Sequence, residues 1–218
     1  MEQVANAWWK LIRFGFRLLY NEMAFTYDTV STVVSLGEWR CWQRSALSYL
    51  EAKNDEPILE LAHGTGNLQL DLIKAGYKTV GYDLSPYMGR IARAKLKRNG
   101  IDGRLVQGKA QQLPFPARTF KAVISTFPTN FIFAVETLAE IRRILRDDGQ
   151  LIIVPNGVLT GGGKTEAALE WLYRITGQRG GQNPSITPFF ASHGFEAVLH
   201  EKRCPRSMAQ VIVARKKP

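Results

Sequence analysis

The sequence predicts an α/β fold with one mostly parallel, seven-stranded sheet that ends in an antiparallel C-terminal hairpin. Two observations predict it. From residue 57 to residue 154, short apolar runs alternate with helical patterns, and parallel strands need such helices as crossover connections. Near the C-terminus, two further β-like runs are separated only by a short turn, which is typical of a hairpin. The 218 residues, of which 45% are hydrophobic, are enough for a single domain with a full core.

The order of these patterns divides the predicted domain into four parts. Residues 1–50 are expected to form a helical lid, and residues 51–154 the core that carries the parallel strands. Residues 155–194 are expected to form a flap insertion, because the strand pattern is lost there. Residues 195–218 form the predicted hairpin. The predicted strands are 58–62, 79–83, 104–107, 122–126, 151–154, 195–201 and 209–214.

Glycine, proline and asparagine mark the predicted turns. Residues 146–149 are expected to end a helix and lead into the last core strand. The glycines at 161–163 predict a hinge, followed by a helical run at 165–176 and a Gly/Asn/Pro-rich loop that reaches Pro184. The two hairpin strands are expected to join across residues 204–206.

The charge of the chain favours an anionic contact. The formal net charge is +10 at pH 7, which predicts contact with nucleic acid, an acidic membrane surface or an acidic small molecule. Charge alone does not choose among these three. No stretch reaches the roughly 18 apolar residues of a membrane-spanning helix, and no leader with a cleavage site is apparent, so neither export nor a membrane span is expected.

The cysteines and histidines predict neither a disulfide framework nor a metal site. Cys41 and Cys204 lie far apart and in no Cys-x-x-Cys pattern, so we expect them to stay unpaired in a reducing cytoplasm. The three histidines are scattered, which does not support a three-ligand metal centre.

A glycine turn after the first strand is the most informative motif. The strand opens into Gly64-Thr65-Gly66 at the start of a helix, where glycines let the backbone bend and approach a ligand, and the helix presents free N–H groups. Asp83 ends the second strand, at about the 20-residue spacing at which an acid meets ribose hydroxyls. Together these features predict a Rossmann-like, doubly wound domain that binds a nucleoside-bearing ligand.

Two features of the sequence indicate which nucleoside-bearing ligand this is. The dinucleotide fingerprint needs a further glycine where this chain has Gln69 or Asn67, depending on the alignment, so a nicotinamide cofactor is disfavoured. Glu60, near the end of the first strand, suits a ligand with a cationic amino group and would repel a pyrophosphate.

Four motifs in one order carry a family resemblance, and they lie at residues 59–66, 81–88, 111–116 and 138–149. With them, the chain resembles the class I S-adenosylmethionine-dependent methyltransferases, and among these the ubiquinone/menaquinone-biosynthesis (methyltransferase type 11) group. The resemblance implies S-adenosyl-L-methionine as cofactor and S-adenosyl-L-homocysteine as product.

The resemblance also implies a set of cofactor contacts at the strand ends. Glu60 and residues 64–66 would surround the methionine part, and Asp83 would hold the ribose. Leu84 and Met88 would flank the adenine, and Thr126 would face the cofactor from the fourth strand. The full implied set is Glu60, Ala62, Gly64, Thr65, Gly66, Asp83, Leu84, Met88, Lys109, Ala110, Gln111 and Thr126.

Lys109 departs from the family pattern. Relatives usually carry an aspartate there that accepts a hydrogen bond from the adenine amino group, whereas a lysine has only donors. Our preferred interpretation is that Lys109 turns to solvent and the backbone of Ala110 reads the adenine edge. The alternative is a weakened cofactor site, which leaves a catalytically inactive binding or scaffold relative as a third hypothesis, after the RNA methyltransferase considered below.

The acceptor side of the site is assigned with fewer signals. Tyr27-Asp28 and residues 35–44 resemble the family region that closes over the active site, so Tyr27 is the candidate closest to the transferring methyl group. Phe127, Asn130 and Trp171 are candidate acceptor-pocket residues. We expect a small, partly apolar acceptor, which is a quinol, a phenol or a lipid-like molecule.

Two alternatives remain open at this point. An RNA methyltransferase would explain the basic charge. However, residues 125–130 lack the Asp/Asn-Pro-Pro-Tyr/Phe pattern of base-amine enzymes, so nucleic acid is the less favoured partner.

Residues 8–20 form a helical pattern with Lys10, Arg13 and Arg17 on one stripe, which predicts either a lid helix or a peripheral contact with a membrane interface.

Overall fold

The structure is a computed structural model that describes residues 21–160 and 186–217, together with residues 10, 14, 15, 17–19, 163, 165, 168, 169 and 171. Its centre is a sheet of seven strands in the order β3-β2-β1-β4-β5-β7-β6. The strands are β1 (Pro57–Leu61), β2 (Lys78–Asp83), β3 (Arg104–Gln107), β4 (Phe120–Thr126), β5 (Leu145–Leu159), β6 (Phe195–Cys204) and β7 (Ser207–Lys216).

The pairing of the strands confirms the predicted fold class. Strands β1 to β5 pair in parallel, and β7 runs antiparallel to both β5 and β6. The chain builds outward from β1 to β3 and then returns to the other side of β1 as β4. Such a reversal leaves a crevice at the carboxyl ends of β1 and β4, where open α/β sheets bind their ligands.

Six helices are defined among the described residues. They are α1 (Tyr27–Val34), α2 (Trp39–Arg44), α3 (Asn67–Lys74), α4 (Pro86–Arg98), α5 (Val135–Ile144) and α6 (Ile186–Ser192). Short 3-10 helices lie at Ala24–Thr26, Ser45–Tyr49 and Asn130–Phe133. Helix α4 shows how a local sequence sets a boundary. The Ser85 side chain accepts a hydrogen bond from the Met88 N–H at 3.3 Å, and Pro86 supplies a helix-compatible φ at the first position.

The core lies on both faces of the sheet. Successive residues of β5 alternate between two buried clusters: Leu151 and Ile153 pack on one face, and Ile152 and Val154 on the other. Because a strand points alternate side chains to opposite faces, a continuous apolar run is what a strand covered on both sides requires.

The predicted start of β5 needs a correction. The strand begins at Leu145 and not at residue 151. Leu145 pairs with Phe120 and Gln150 pairs with Ala122, so residues 146–149 bulge out opposite a single residue of β4. The helix does end before this segment, as predicted, but the segment interrupts a strand that has already begun.

The prediction that the two cysteines stay unpaired is wrong. Cys41 of α2 and Cys204 at the end of β6 form a disulfide, with their Cα atoms 6.0 Å apart. Their sequence separation of 163 residues hid the pairing, since only the folded sheet brings the end of β6 beside α2. The cysteine argument for a reducing compartment therefore falls.

Two predicted segments lie mainly outside the described residues. These are residues 161–185 of the flap predicted at 155–194, whose first residues up to Leu159 instead continue β5, and the N-terminal helix predicted at 8–20. The described residues within 165–176 and 8–20 are helical, and the division of the domain into four parts stays a prediction. Among the described residues, no helix is long and apolar enough to span a membrane.

Candidate functional site

The glycine loop occupies the crevice at the carboxyl end of β1. Ala62, Gly64 and Gly66 all have positive φ values, of 60°, 54° and 77°, so the backbone turns sharply before α3 begins. A Cβ atom at Gly64 would meet nothing within 4 Å, whereas one at Gly66 would lie 2.8 Å from the Cβ of Ala92. Gly64 therefore faces open space, and Gly66 packs the loop against α4.

Asp83 connects the end of β2 to this loop. Its Oδ2 accepts a hydrogen bond from the Gly64 N–H at 2.8 Å, and its Oδ1 accepts one from the Ser85 N–H at 2.8 Å. Each carboxylate oxygen has more than one acceptor position, so the side chain is fixed in orientation and can still accept from a pair of hydroxyl groups.

Glu60 lies in β1, two residues before the turn. It is 1% exposed, and its Oε2 has no hydrogen-bond partner among the described residues. Burial raises the pKa of Glu60 well above its usual value, and the Asp83 carboxylate adds to the rise, while the Arg40 guanidinium opposes it. A buried carboxyl oxygen without a partner is costly, so this position fits a ligand that brings a cationic donor.

Tyr82 fixes the loop that follows β3. Its hydroxyl lies 3.3 Å from the Lys109 carbonyl oxygen and 3.4 Å from that of Gln112. A Cβ atom at Gly108 would lie 1.9 Å from the Tyr82 hydroxyl, so only glycine fits there. The Lys109 side chain is exposed and Ala110 is buried. That the backbone of Ala110 contacts the adenine edge stays a prediction.

The remaining predicted cofactor residues differ in their exposure. Leu84, directly after β2, is 62% exposed, whereas Met88 on the buried face of α4 is 2% exposed and offers little surface to a ligand. Thr126 is buried at the end of β4, and Gln111 is exposed. The neighbouring Ser125 hydroxyl donates to the Leu61 carbonyl at 2.8 Å, which ties β4 to β1 at the crevice.

An aromatic cluster lies where β4 ends. Phe127 has a φ of 51°, and its ring stacks on Trp39 with the centroids 3.8 Å apart. Trp39 in turn contacts the ring of Tyr27 edge-on at 6.1 Å and the ring of Trp42 at 6.1 Å. The structure thus brings two predicted residues, Tyr27 and Phe127, to the same cluster.

The other two predicted acceptor residues are not joined to that cluster. Asn130 is exposed in the 3-10 helix that follows β4. Trp171 is 59% exposed, and no aromatic contact among the described residues links it to Phe127. Their role in an acceptor pocket stays a prediction.

A buried polar network holds α2 against the C-terminal hairpin. The Ser207 hydroxyl donates to the Glu38 carboxylate at 2.5 Å and accepts from the Trp42 indole N–H at 2.7 Å. The Arg206 N–H also donates to Glu38, at 3.1 Å. With the disulfide nearby, this network fixes the helix that carries Trp39.

Sequence reasoning placed Trp39 in the segment that closes over the site but singled out neither Trp39 nor Tyr82 as a site-forming residue. The signal for Trp39 was its three-residue spacing from Trp42, which places both rings on one side of a helix. Tyr82 gave no such signal, since its role depends on a loop that lies 27 residues further along the chain.

A family model matches the part of the chain that builds this crevice. The match covers residues 58–149, and the model is described as a methyltransferase domain. Residues 58–149 are thus similar to the methyltransferase-domain family. The recognition made from the sequence motifs is thereby confirmed.

Curated relatives agree with this assignment. A demethylmenaquinone methyltransferase of Thermus thermophilus is 35% identical over 139 residues, which cover 62% of this chain and 63% of the relative. The ubiquinone/menaquinone biosynthesis C-methyltransferase UbiE of Citrifermentans bemidjiense is 30% identical over 144 residues, covering 63% of this chain and 61% of the relative. The chain thus spans about three fifths of the length of these relatives.

Solved structures share the fold at low sequence identity. The geranyl diphosphate C-methyltransferase of Streptomyces coelicolor, solved with Mg²⁺, geranyl diphosphate and S-adenosyl-L-homocysteine, superimposes with a TM-score of 0.60 at 12% identity. The match covers 81% of this chain and 78% of that one. At this identity the likeness establishes the fold alone.

Proposed function

We propose that this chain is an S-adenosyl-L-methionine-dependent methyltransferase that acts on a small, partly apolar acceptor such as a quinol, a phenol or a lipid-like molecule. The observation that carries the proposal is the buried Glu60 carboxyl oxygen without a described partner, beside an open glycine loop. The family match and the names of the curated relatives support the reaction class.

The residues present fit this cofactor. Its α-ammonium group would supply the cation that Glu60 lacks, and binding there would favour the ionised form of the carboxyl. Gly64 leaves room for close approach of the methionine part, because no atom stands within 4 Å of its missing Cβ. Asp83, held by two backbone N–H groups, would accept from the ribose hydroxyls.

The protein's own part in the reaction is alignment and exclusion of water. When bound, the cofactor supplies an electrophilic methyl group on a sulfonium, so no covalent protein intermediate is required. The loop and Asp83 hold one reactant in a fixed orientation. The rings of Tyr27, Trp39 and Phe127 offer an apolar wall near the crevice, which would orient the second reactant and keep water away.

The aromatic cluster supports a flat, partly apolar acceptor. Aromatic side chains bind planar rings through stacked and edge-on contacts, and Trp39 already stacks on Phe127 at 3.8 Å. One curated relative is named a demethylmenaquinone methyltransferase and the other a ubiquinone/menaquinone biosynthesis C-methyltransferase, which supports a quinol as the first acceptor to test.

Transfer of a radiolabelled methyl group tests the proposal. The purified chain would be incubated with labelled S-adenosyl-L-methionine and, separately, with demethylmenaquinol, a simple phenol, an amino lipid and total RNA. We expect label in an organic-extractable product, and much less of it with Asp83→Asn when the cofactor concentration is below saturation. Label in RNA alone would favour the RNA hypothesis, and cofactor binding without transfer to any acceptor would favour an inactive binding protein.

Peripheral membrane contact through residues 8–20 is a second part of the proposal. Phe14 is 54% exposed, and Lys10 and Arg17 are also exposed, which suits an acidic lipid surface. Phe14→Glu should reduce co-sedimentation with anionic vesicles, whereas Val198→Glu, a control at an exposed position of β6, should not. Equal recovery of both variants would contradict the contact. A cytoplasmic location stays a prediction.

A further inference from the structure

Four polar side chains form a closed ring beside the glycine loop. Asp28 of α1 accepts hydrogen bonds at Oδ1 from the Thr65 hydroxyl at 2.6 Å and from the Asn67 amide at 2.8 Å. Its Oδ2 accepts from the Lys95 ammonium at 2.8 Å. Lys95 also donates to the Asn67 Oδ1 at 2.5 Å, which closes the ring.

The ring joins three separate parts of the fold. Asp28 lies in the N-terminal segment, which is residues 21–34 with helix α1. Thr65 and Asn67 belong to the glycine loop and the start of α3, and Lys95 lies on α4. The Thr65 hydroxyl therefore donates its one proton to Asp28 and cannot donate it to a ligand. Because Tyr27 is the next residue to Asp28, the same contacts set where Tyr27 meets the aromatic cluster.

The chemistry of the ring requires a carboxylate at position 28. Three donors converge on its two oxygens, and an amide in its place would turn an N–H group toward one of them. Burial acts to raise the pKa of Asp28, but the hydrogen bonds from Lys95 and Thr65, with the Lys95 charge, outweigh it and leave the pKa below its usual value. Asp28 is thus ionised near neutral pH and pairs with Lys95, which is only 17% exposed.

We propose that Asp28 is a positioning residue that holds the N-terminal segment closed over the glycine loop and thereby slows the release of bound cofactor. The inference rests on the proposed function, since it assigns the ligand of the loop to S-adenosyl-L-methionine. Opening the segment breaks three hydrogen bonds to one carboxylate, so closure depends on the ring as a unit.

The test uses Asp28→Asn, Lys95→Met and the double variant, in the full chain. Glu22→Gln is the matched control, because it removes one exposed negative charge from the same segment without touching the ring. Two readouts are needed: backbone hydrogen exchange of residues 24–34 without ligand, and the rate of S-adenosyl-L-homocysteine release by stopped flow.

We expect residues 24–34 to exchange faster, and the ligand to dissociate about ten- to a hundred-fold faster, in each ring variant but not in Glu22→Gln. The double variant should be little worse than either single variant, since all three break one unit. If Asp28→Asn does not fold, Lys95→Met gives the same comparison.

The outcomes separate this inference from the proposed function. Wild-type protein that binds the ligand, with ring variants that exchange and release like wild type, would overturn the inference alone. Failure of the wild type to bind the ligand would overturn the proposed function. In that case the exchange comparison without ligand still decides whether the ring holds the segment, and equal exchange would overturn that as well.

Discussion

Reduction of the Cys41–Cys204 disulfide should destabilise the fold substantially. The bond closes a loop across 163 residues of sequence and links α2 to the end of β6. In the unfolded chain such a bond restricts the ensemble strongly, because the entropy removed grows with the logarithm of loop length. Reduction should change the folded state little, because the hydrogen bonds of Trp42 and Glu38 to Ser207 also hold α2 in place.

The magnitude follows from the loop length. The chain-entropy relation gives about 5 kcal/mol at 25 °C for a loop of this size, and loss of native disulfides costs about 2–5 kcal/mol. For a domain of roughly 150–250 residues, each kcal/mol lowers the midpoint of thermal unfolding by about 2–4 °C. Reduction should therefore lower the midpoint by about 4–20 °C.

Thermal unfolding with and without a thiol reductant measures this effect, on protein purified under oxidising conditions. Thiol counting in denaturant should find none before reduction and two after it, because neither cysteine is free. The double variant Cys41→Ser/Cys204→Ser is the control and should unfold at the lower temperature in both buffers. Two free thiols before reduction, or a midpoint that reductant leaves unchanged, would refute the reasoning.

Three further predictions follow from single positions. A Cβ at Gly157 would lie 2.2 Å from the Trp42 ring, so Gly157→Ala should lower the free energy of unfolding by about 1–3 kcal/mol; an unchanged urea midpoint would contradict this. Gly66→Ala should have a lower melting temperature than Gly64→Ala. Both positions have a positive φ, but only a Cβ at Gly66 would contact a neighbouring side chain, so equal melting temperatures would count against the packing described. Because burial raises the pKa of Glu60, the unliganded protein should lose stability as the pH rises from 4.5 through the raised pKa, and Glu60→Gln should flatten that part of the profile in pH-dependent unfolding.

Local patterns were sufficient to predict the sheet. Short stretches of sequence are enough to recognise the apolar runs of β1, β2 and β4. The spacing from Gly64 to Asp83 can be recognised in the same way. The Gly64–Asp83 hydrogen bond of 2.8 Å places these two predicted residues in contact. The bulge at 146–149 was missed because it depends on how β5 pairs with β4.

Contacts between distant segments could not be predicted in the same way. Cys41 and Cys204 meet only because β6 is the outermost strand and its end lies beside α2. The Asp28 ring likewise joins residues up to 67 positions apart. Nothing in the spacing or the residue types of these pairs marks them as partners, so the folded sheet was needed to find them.

Calorimetric titration with S-adenosyl-L-methionine tests the central claim most directly, since it asks whether Glu60, the glycine loop and Asp83 form the cofactor site. The wild type and the control Asp102→Asn, which alters an exposed carboxylate, should bind with the same affinity. Asp83→Asn and Glu60→Gln should each weaken binding by about ten-fold or more, through loss of charged hydrogen bonds. No binding by the wild type, or equal affinity in all four proteins, would contradict the account.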